Sequence, residues 1–229
     1  MYKSFHQNQI ARTCTIAAAL GVLLAAPAFA QTPPGSAEDF ARRVQQHYDS
    51  VRDFSADFTQ TYQGGALKKR TTEHGSVVVQ KPGRMRWTYE VPEKKVFVSD
   101  GIKVYFYVPA DRQVTVGDMP AGDEAGTPVL FLAGKGSLTR DFKVTWAEVP
   151  EAPAGTVALA LTPKRHESEY EALTLVVDRA TLALRMLVAV DGQGGTSTFV
   201  FRNLKENAGT PDKAFRFTIP RGVDVITRN

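Results

Sequence analysis

The chain has 229 residues, of which 43% are hydrophobic and 23% charged, a globular balance that excludes a disordered or collagen-like protein. The single cysteine, Cys14, excludes an internal disulfide, so the fold depends on burial and hydrogen bonding. The net charge is +4, but the basic residues are scattered along the chain, which does not favour nucleic-acid binding.

The first thirty residues have the pattern of a secretory signal peptide. An apolar run covers residues 13–26, and Ala28-Phe29-Ala30 has the A-x-A form of a signal-peptidase site. An uncleaved anchor is the alternative, although the run is shorter than the about 20 residues of a membrane span. Because Cys14 is not at the cut, it cannot accept a lipid anchor there. We expect residues 1–30 to be removed and residues 31–229 to form one soluble, exported domain.

The exported chain begins with a predicted helix. Ser36 and Asp39 have the spacing of a capping box, and Phe40, Val44 and Tyr48 then recur every four residues. This spacing predicts an amphipathic helix of about four turns.

Short alternating segments separated by turn residues fill most of the remaining chain. Asp100-Gly101 lies between two apolar runs and predicts a type I′ hairpin turn. About eleven strands and few helices predict a mainly antiparallel β-meander. The predicted strands cover residues 54–62, 71–80, 84–89, 95–99, 103–108, 141–146, 156–162, 171–178, 183–191, 196–204 and 214–219.

A segment rich in Gly, Pro and Asp, residues 117–127, separates the two series of strands. It is followed by an apolar run between Pro128 and Gly134, which is typical of a short helix. We interpret the segment as a loop that carries a lid, and the alternative is a linker between two domains. The lid residues are Val129, Leu130, Phe131 and Leu132.

The central strands are apolar on both faces. Met85, Trp87 and Tyr89 share one face of their strand, whereas Tyr105 and Tyr107 belong to the opposite face of theirs. Two apolar faces need two covers. Either the sheet packs against other parts of the chain on both sides, or one face lines a cavity for an apolar ligand.

No catalytic or metal-binding motif stands out. The histidines at 47, 74 and 166 lie on separate predicted elements, and His166-Glu167-Ser168-Glu169 is better explained as a polar hairpin loop than as a metal site. The chain has no G-x-S-x-G motif, and residues 134–137 lack the spacing of a phosphate-binding loop. We therefore expect no catalytic residue, no metal and no cofactor, and an enzyme is the least favoured class.

Seven segments, in the same order along the chain, resemble the outer-membrane lipoprotein carrier family, LolA. The resemblance extends over nearly all of the predicted exported chain, which makes it more specific than any single motif. The matching segments are residues 54–60, Lys81-Pro82-Gly83 with the strand to Tyr89, residues 98–101, residues 105–109, Gly126-Thr127-Pro128 with its apolar run, residues 161–164 and residues 215–223.

The resemblance implies a fold and a function. The fold is an incompletely closed β-barrel with a helical lid over a hydrophobic cavity. The function is that of a monomeric periplasmic chaperone, which takes acylated lipoproteins from an ABC-type inner-membrane release complex and delivers them to an outer-membrane receptor. An envelope lipid-sensing regulatory module on the same half-barrel is the alternative.

The resemblance also implies which residues line the cavity. They are Tyr48, Met85, Trp87, Tyr89, Phe97, Val104 and Phe106. Lys81 is a candidate lid latch, because it stands where the family usually has an arginine that hydrogen-bonds to the lid. Lysine has no planar fork for a bidentate clamp, so we expect a looser lid that accepts cargo more easily.

Overall fold

The computed structural model describes residues 35–65, 69–119, 136–166 and 170–228, all within one compact unit, Thr32–Asn229. The predicted signal peptide lies outside the described residues, so it stays a prediction. The predicted lid residues Val129, Leu130, Phe131 and Leu132 also lie outside them.

Twelve strands and two short helices make up most of the described chain. The helices are α1 (Ala37–Ser50) and α2 (Leu138–Asp141), and a 3-10 helix covers Asp212–Phe215. The strands are β1 (Asp53–Gln63), β2 (Arg70–Gln80), β3 (Arg84–Val91), β4 (Lys95–Asp100), β5 (Lys103–Val108), β6 (Gln113–Asp118), β7 (Phe142–Ala147), β8 (Thr156–Pro163), β9 (Ala172–Asp178), β10 (Leu184–Val190), β11 (Thr196–Glu206) and β12 (Asp224–Arg228).

All twelve strands form one sheet, in the order β12-β6-β5-β4-β3-β2-β1-β11-β10-β9-β8-β7. Neighbouring strands are antiparallel except β12, which runs parallel to β6. The outermost strands, β7 and β12, do not pair with each other, so the sheet is not closed. The predicted unclosed, mainly antiparallel β fold is confirmed.

Two parts of the strand prediction were wrong. Strands β6 and β12 were missed, and residues 214–219 do not form a strand. The alternation of Phe215 and Phe217 there has another cause. Phe215 ends the 3-10 helix and is buried, and the Phe217 ring lies 5.3 Å from that of Tyr105, so both rings cover the sheet without joining it.

The hairpin at Asp100-Gly101 is present, but its turn differs from the predicted type I′. Only Gly101 has positive φ, at +97°, and Asp100 is the last residue of β4. The Asp100 Oδ1 atom accepts hydrogen bonds from the backbone N–H groups of Ile102 and Lys103, both at 2.8 Å. The carboxylate therefore closes the turn as an Asx-type contact.

Helix α1 begins and packs as the sequence predicts. Ser36 Oγ accepts a hydrogen bond from the Asp39 N–H at 3.0 Å, and the Asp39 carboxylate accepts one from the Ser36 N–H, which completes the capping box. Phe40, Val44 and Tyr48 are buried on one side of the helix. They belong to the same core cluster as residues of the sheet, so α1 covers part of one face of the sheet.

We call the face that packs against α1 the inner face and the opposite face the outer face. Phe58, Trp87 and Leu159 are inner-face residues, and they belong to the main core cluster. The outer face is covered by the β7–β8 loop over β8 to β11, and by residues 212–217 over β3 to β5. The chain thus covers the apolar parts of the outer face, whereas α1 covers only part of the inner face, where Phe106 is exposed.

Candidate functional site

Strand register brings six of the seven residues predicted to line the cavity onto one continuous area of the inner face. On β3 and β4, Trp87 pairs with Phe97; on β4 and β5, Phe97 pairs with Phe106. Paired residues of neighbouring strands point to the same side of a sheet. Met85, Tyr89 and Val104 belong to the same side by alternation. The seventh residue, Tyr48, reaches the same core cluster from α1.

Exposure increases across this area from β3 to β5. Trp87 is only 2% exposed, Phe97 is half-buried and Phe106 is 40% exposed. The parallel partner of Thr115 on β12, Ile226, continues the row and is also exposed. The apolar row is therefore continuous from buried Trp87 to exposed Phe106, and polar Thr115 separates Phe106 from Ile226.

The centre of the inner face is an aromatic cluster around Trp87. Its ring centroid lies 4.9 Å from that of Phe58 and 5.5 Å from that of Phe199, with Phe201 at 6.3 Å. Phe58, Phe199 and Phe201 were not among the residues predicted to line the cavity. The alternation of apolar and polar residues in β1 identified the face of Phe58. In β11, Val200 on the outer face is also apolar, so the sequence does not show that Phe199 and Phe201 share the inner face.

The end of the inner face far from α1 is polar. The Tyr89 hydroxyl donates to Gln60 Oε1 at 2.9 Å, and Lys95 Nζ lies 4.8 Å above the Tyr89 ring while it pairs with Glu73. Burial raises the pKa of the Tyr89 hydroxyl, and Glu73 adds to the rise. The aromatic area thus ends in a rim of hydrogen-bonded polar groups.

Lys81 lies at the end of helix α1. Its Nζ donates to the backbone oxygen of Tyr48, and it sits 5.9 Å from the centroid of the Tyr48 ring. A cation at this position interacts favourably with the carbonyl end of the helix. Burial lowers the pKa of the Lys81 ammonium, while the carboxylates of Asp49 and Glu206 act in the opposite direction. Lys81 therefore holds α1, and its predicted contact with the lid lies outside the described residues.

A groove with a volume of about 1040 Å³ lies on the outer face, on the other side of the sheet from the aromatic cluster. Thr61, Arg70 and Thr198 line it together with the loop before β8. Its lining is mixed in polarity and includes the ion pair of Arg185 with Asp178 at 3.3 Å. This groove does not coincide with the predicted cavity.

No described helix is long and apolar enough to cross a bilayer. Over the same residues, no group of three or more His, Cys, Asp or Glu side chains is placed to hold a metal ion.

Residues 49–218 match the family model described as "Outer membrane lipoprotein carrier protein LolA". The chain belongs to the LolA family. The match includes β1 to β11, and so all of the inner-face area described above except Tyr48 and the row's last residue, Ile226.

The chain is similar to outer-membrane lipoprotein carrier proteins of several bacteria. The outer-membrane lipoprotein carrier protein of Chromohalobacter salexigens is 33% identical over 211 residues, which cover 92% of this chain and 95% of that protein. The outer-membrane lipoprotein carrier protein of Nitrosomonas europaea is 33% identical over 175 residues, which cover 76% of this chain and 82% of that protein. Among solved structures, a LolA superfamily protein from Nitrosomonas europaea aligns with a TM-score of 0.42 at 11% identity, over 77% of this chain and 97% of that one.

Proposed function

We propose that this protein is a periplasmic carrier that binds the acyl chains of lipoproteins released from the inner membrane and delivers them to an outer-membrane receptor. The observation that supports it most is the aromatic inner face, continuous from buried Trp87 to exposed Phe106, in a chain of the LolA family. By the same family resemblance, the partners are an ABC-type release complex and an outer-membrane lipoprotein receptor.

The inner face suits reversible lipid binding. Each buried CH₂ group contributes about 0.8 kcal/mol, so fully burying long acyl chains would make release very slow. In this protein the inner face is already packed against α1, and cargo must displace some of that packing. The cost of the displacement lowers the net affinity and allows transfer to a receptor.

The proposal is tested by placing a charge on the inner face where the fold tolerates one. Phe106→Glu is the test variant, because Phe106 is 40% exposed, and Ile102→Glu is the matched control, because Ile102 is 75% exposed at the β4–β5 turn. Membranes holding a newly processed lipoprotein and the energised release complex are mixed with residues 31–229, and the soluble fraction is analysed.

We expect the unmodified protein and Ile102→Glu to bring the lipoprotein into solution as a one-to-one complex, and Phe106→Glu to bring much less. Equal yields from all three would contradict a lipid site on the inner face. A lipid bound to the purified protein, with no lipoprotein complex, would support the lipid-sensing alternative.

The latch at Lys81 is a further part of the proposal. An arginine there offers two parallel donors to the end of α1 and to the lid, and so holds the closed state more firmly than Lys81 does. We expect Lys81→Arg to accept cargo more slowly and to transfer it to the receptor at a different rate. Equal transfer rates, measured in a release assay with purified receptor, would contradict the latch.

A further inference from the structure

The indole N–H of Trp87 is a buried donor for which the described residues supply no acceptor. Trp87 is 2% exposed, and its Nε1 atom has no hydrogen-bond partner among the described residues. Buried donors are rarely left unpaired, because burial removes their hydrogen bonds to water, and without a protein acceptor this loss costs free energy. Such an exception calls for a specific explanation.

The surroundings of this donor are apolar and lie on the proposed lipid path. Rings of Phe58, Phe199 and Phe201 surround the indole, and the row through Phe97 to Phe106 leads from it to solvent. A ligand that enters along this row is itself apolar except where each acyl chain begins. There it carries a carbonyl oxygen, which is an acceptor.

We propose that the Trp87 indole N–H donates a hydrogen bond to the acyl carbonyl oxygen of the bound lipid. The inference rests on the proposed carrier function, and it assigns Trp87 a role in positioning the acyl chain as well as in lining the cavity. One donor in an apolar pocket fixes the depth and direction of the chain, as polar groups do in most ligand sites. Its removal should reduce the protein's ability to distinguish acyl chains from alkyl chains.

Aromatic rings supply the competing explanation. The Trp87 ring makes edge contacts with Phe58 and Phe199, at interplanar angles of 63° and 68°, and an N–H can point weakly at a ring face. In that case the donor would not change its partner when lipid binds.

The first experiment compares two small lipids that differ only at the carbonyl. Dioctanoylglycerol has ester carbonyls, whereas dioctylglycerol has ether oxygens, which are poorer acceptors; both are titrated into residues 31–229. We expect the unmodified protein to bind the ester roughly fivefold more tightly, the size of one neutral hydrogen bond in an apolar site. An octanoyl amide tests whether the carbonyl of an amide-linked chain raises the binding affinity as an ester carbonyl does.

Trp87→Phe should lose this preference, and Trp146→Phe is the matched control. Trp146, the second of the two tryptophans, packs against Phe40 beneath α1 and should keep the preference when changed. Equal affinity of the unmodified protein for ester and ether, or an unchanged preference in Trp87→Phe, would overturn the inference. Binding of neither lipid would instead contradict the carrier function on which it rests.

A second experiment needs no change at Trp87. The indole N–H proton is observed by NMR in Trp146→Phe, where only Trp87 contributes a signal. We expect a downfield shift with dioctanoylglycerol that dioctylglycerol does not produce. The same shift with both lipids, or none with the ester, would show that the N–H keeps its existing environment and would overturn the inference.

Discussion

Tyr48 links helix α1 to two separate parts of the sheet. Its hydroxyl oxygen accepts a hydrogen bond from the Leu184 N–H at 2.8 Å, at the start of β10. Its backbone oxygen accepts from Lys81, in the turn between β2 and β3. The side chain is buried, and burial raises the pKa of its hydroxyl above the ordinary value of 10.0. One residue therefore fixes where the last turn of the helix lies.

The raised pKa of Tyr48 predicts how stability depends on pH. The folded state keeps the hydroxyl protonated above pH 10.0, where the unfolded chain ionises it, so its contribution is complete below that pH and is lost above it. At neutral pH we expect Tyr48→Phe to lower the free energy of unfolding by about 2 kcal/mol, because the Leu184 N–H loses its acceptor.

Denaturant unfolding at a series of pH values checks this prediction. The gap between the unmodified protein and Tyr48→Phe should narrow as the pH rises above 10.0. A gap of constant size over the whole range would show that ionisation of Tyr48 is not linked to folding.

Strands β2 and β3 approach closely at Gly75. A Cβ atom there would lie 2.0 Å from the Thr88 backbone oxygen and 3.0 Å from Cε1 of Phe58. Neither the backbone atom nor the ring within the aromatic cluster can move freely. The absence of a side chain at Gly75 therefore lets Phe58 pack onto Trp87 and Tyr89.

We predict that Gly75→Ala destabilises the protein by about 3 kcal/mol, because β2 and β3 must separate or the Phe58 ring must shift. Gly64→Ala is the matched control: its nearest atoms would be 3.8 Å away, so the free energy of unfolding should change by less than about 0.5 kcal/mol. Thermal and denaturant unfolding of both variants measure this. Equal effects would mean that the close approach at Gly75 relaxes at no cost.

The two faces of the sheet differ in how completely other parts of the chain cover them. On the outer face, residues 212–217 close over the strands: Arg86 donates to the backbone oxygens of Ala214 and Arg216, at 2.7 and 2.9 Å, and Phe215 is 1% exposed. On the inner face, the cover by α1 does not extend to Phe106. One face is thus closed by the chain itself, while the other keeps an exposed apolar area.

This difference predicts that Phe215→Ala mainly affects stability and Phe106→Ala mainly affects lipid binding. Phe215→Ala should lower the free energy of unfolding by about 4 kcal/mol, since it empties a buried position. Phe106→Ala should lower it by less than about 1 kcal/mol, since its ring is partly exposed, but should weaken lipid binding roughly tenfold if the inner face is the proposed lipid site. Unfolding and lipid titration of each variant check both effects. A large loss of stability in Phe106→Ala would mean that its ring belongs to the core instead.

Most local elements and the family could be predicted from the amino-acid sequence. The capping box and four-residue spacing of α1, and the alternation along β1 to β5, depend on neighbouring residues, so they can be read without a fold. The resemblance in ordered segments, including Lys81-Pro82-Gly83, was likewise local, and the match of residues 49–218 confirms it.

Which apolar residues lie on the inner face and which cover the outer face could not be predicted, because that depends on contacts between distant parts of the chain. Phe215 and Phe217 have the spacing of a strand, yet they cover the outer face, because their partners lie more than a hundred residues earlier in the chain. Strand β12 is exposed along its length and pairs with β6 from the end of the chain, so no local pattern marks it. The cluster of Phe58 and Phe199 around Trp87, and the unpaired donor within it, exist only after distant strands pair.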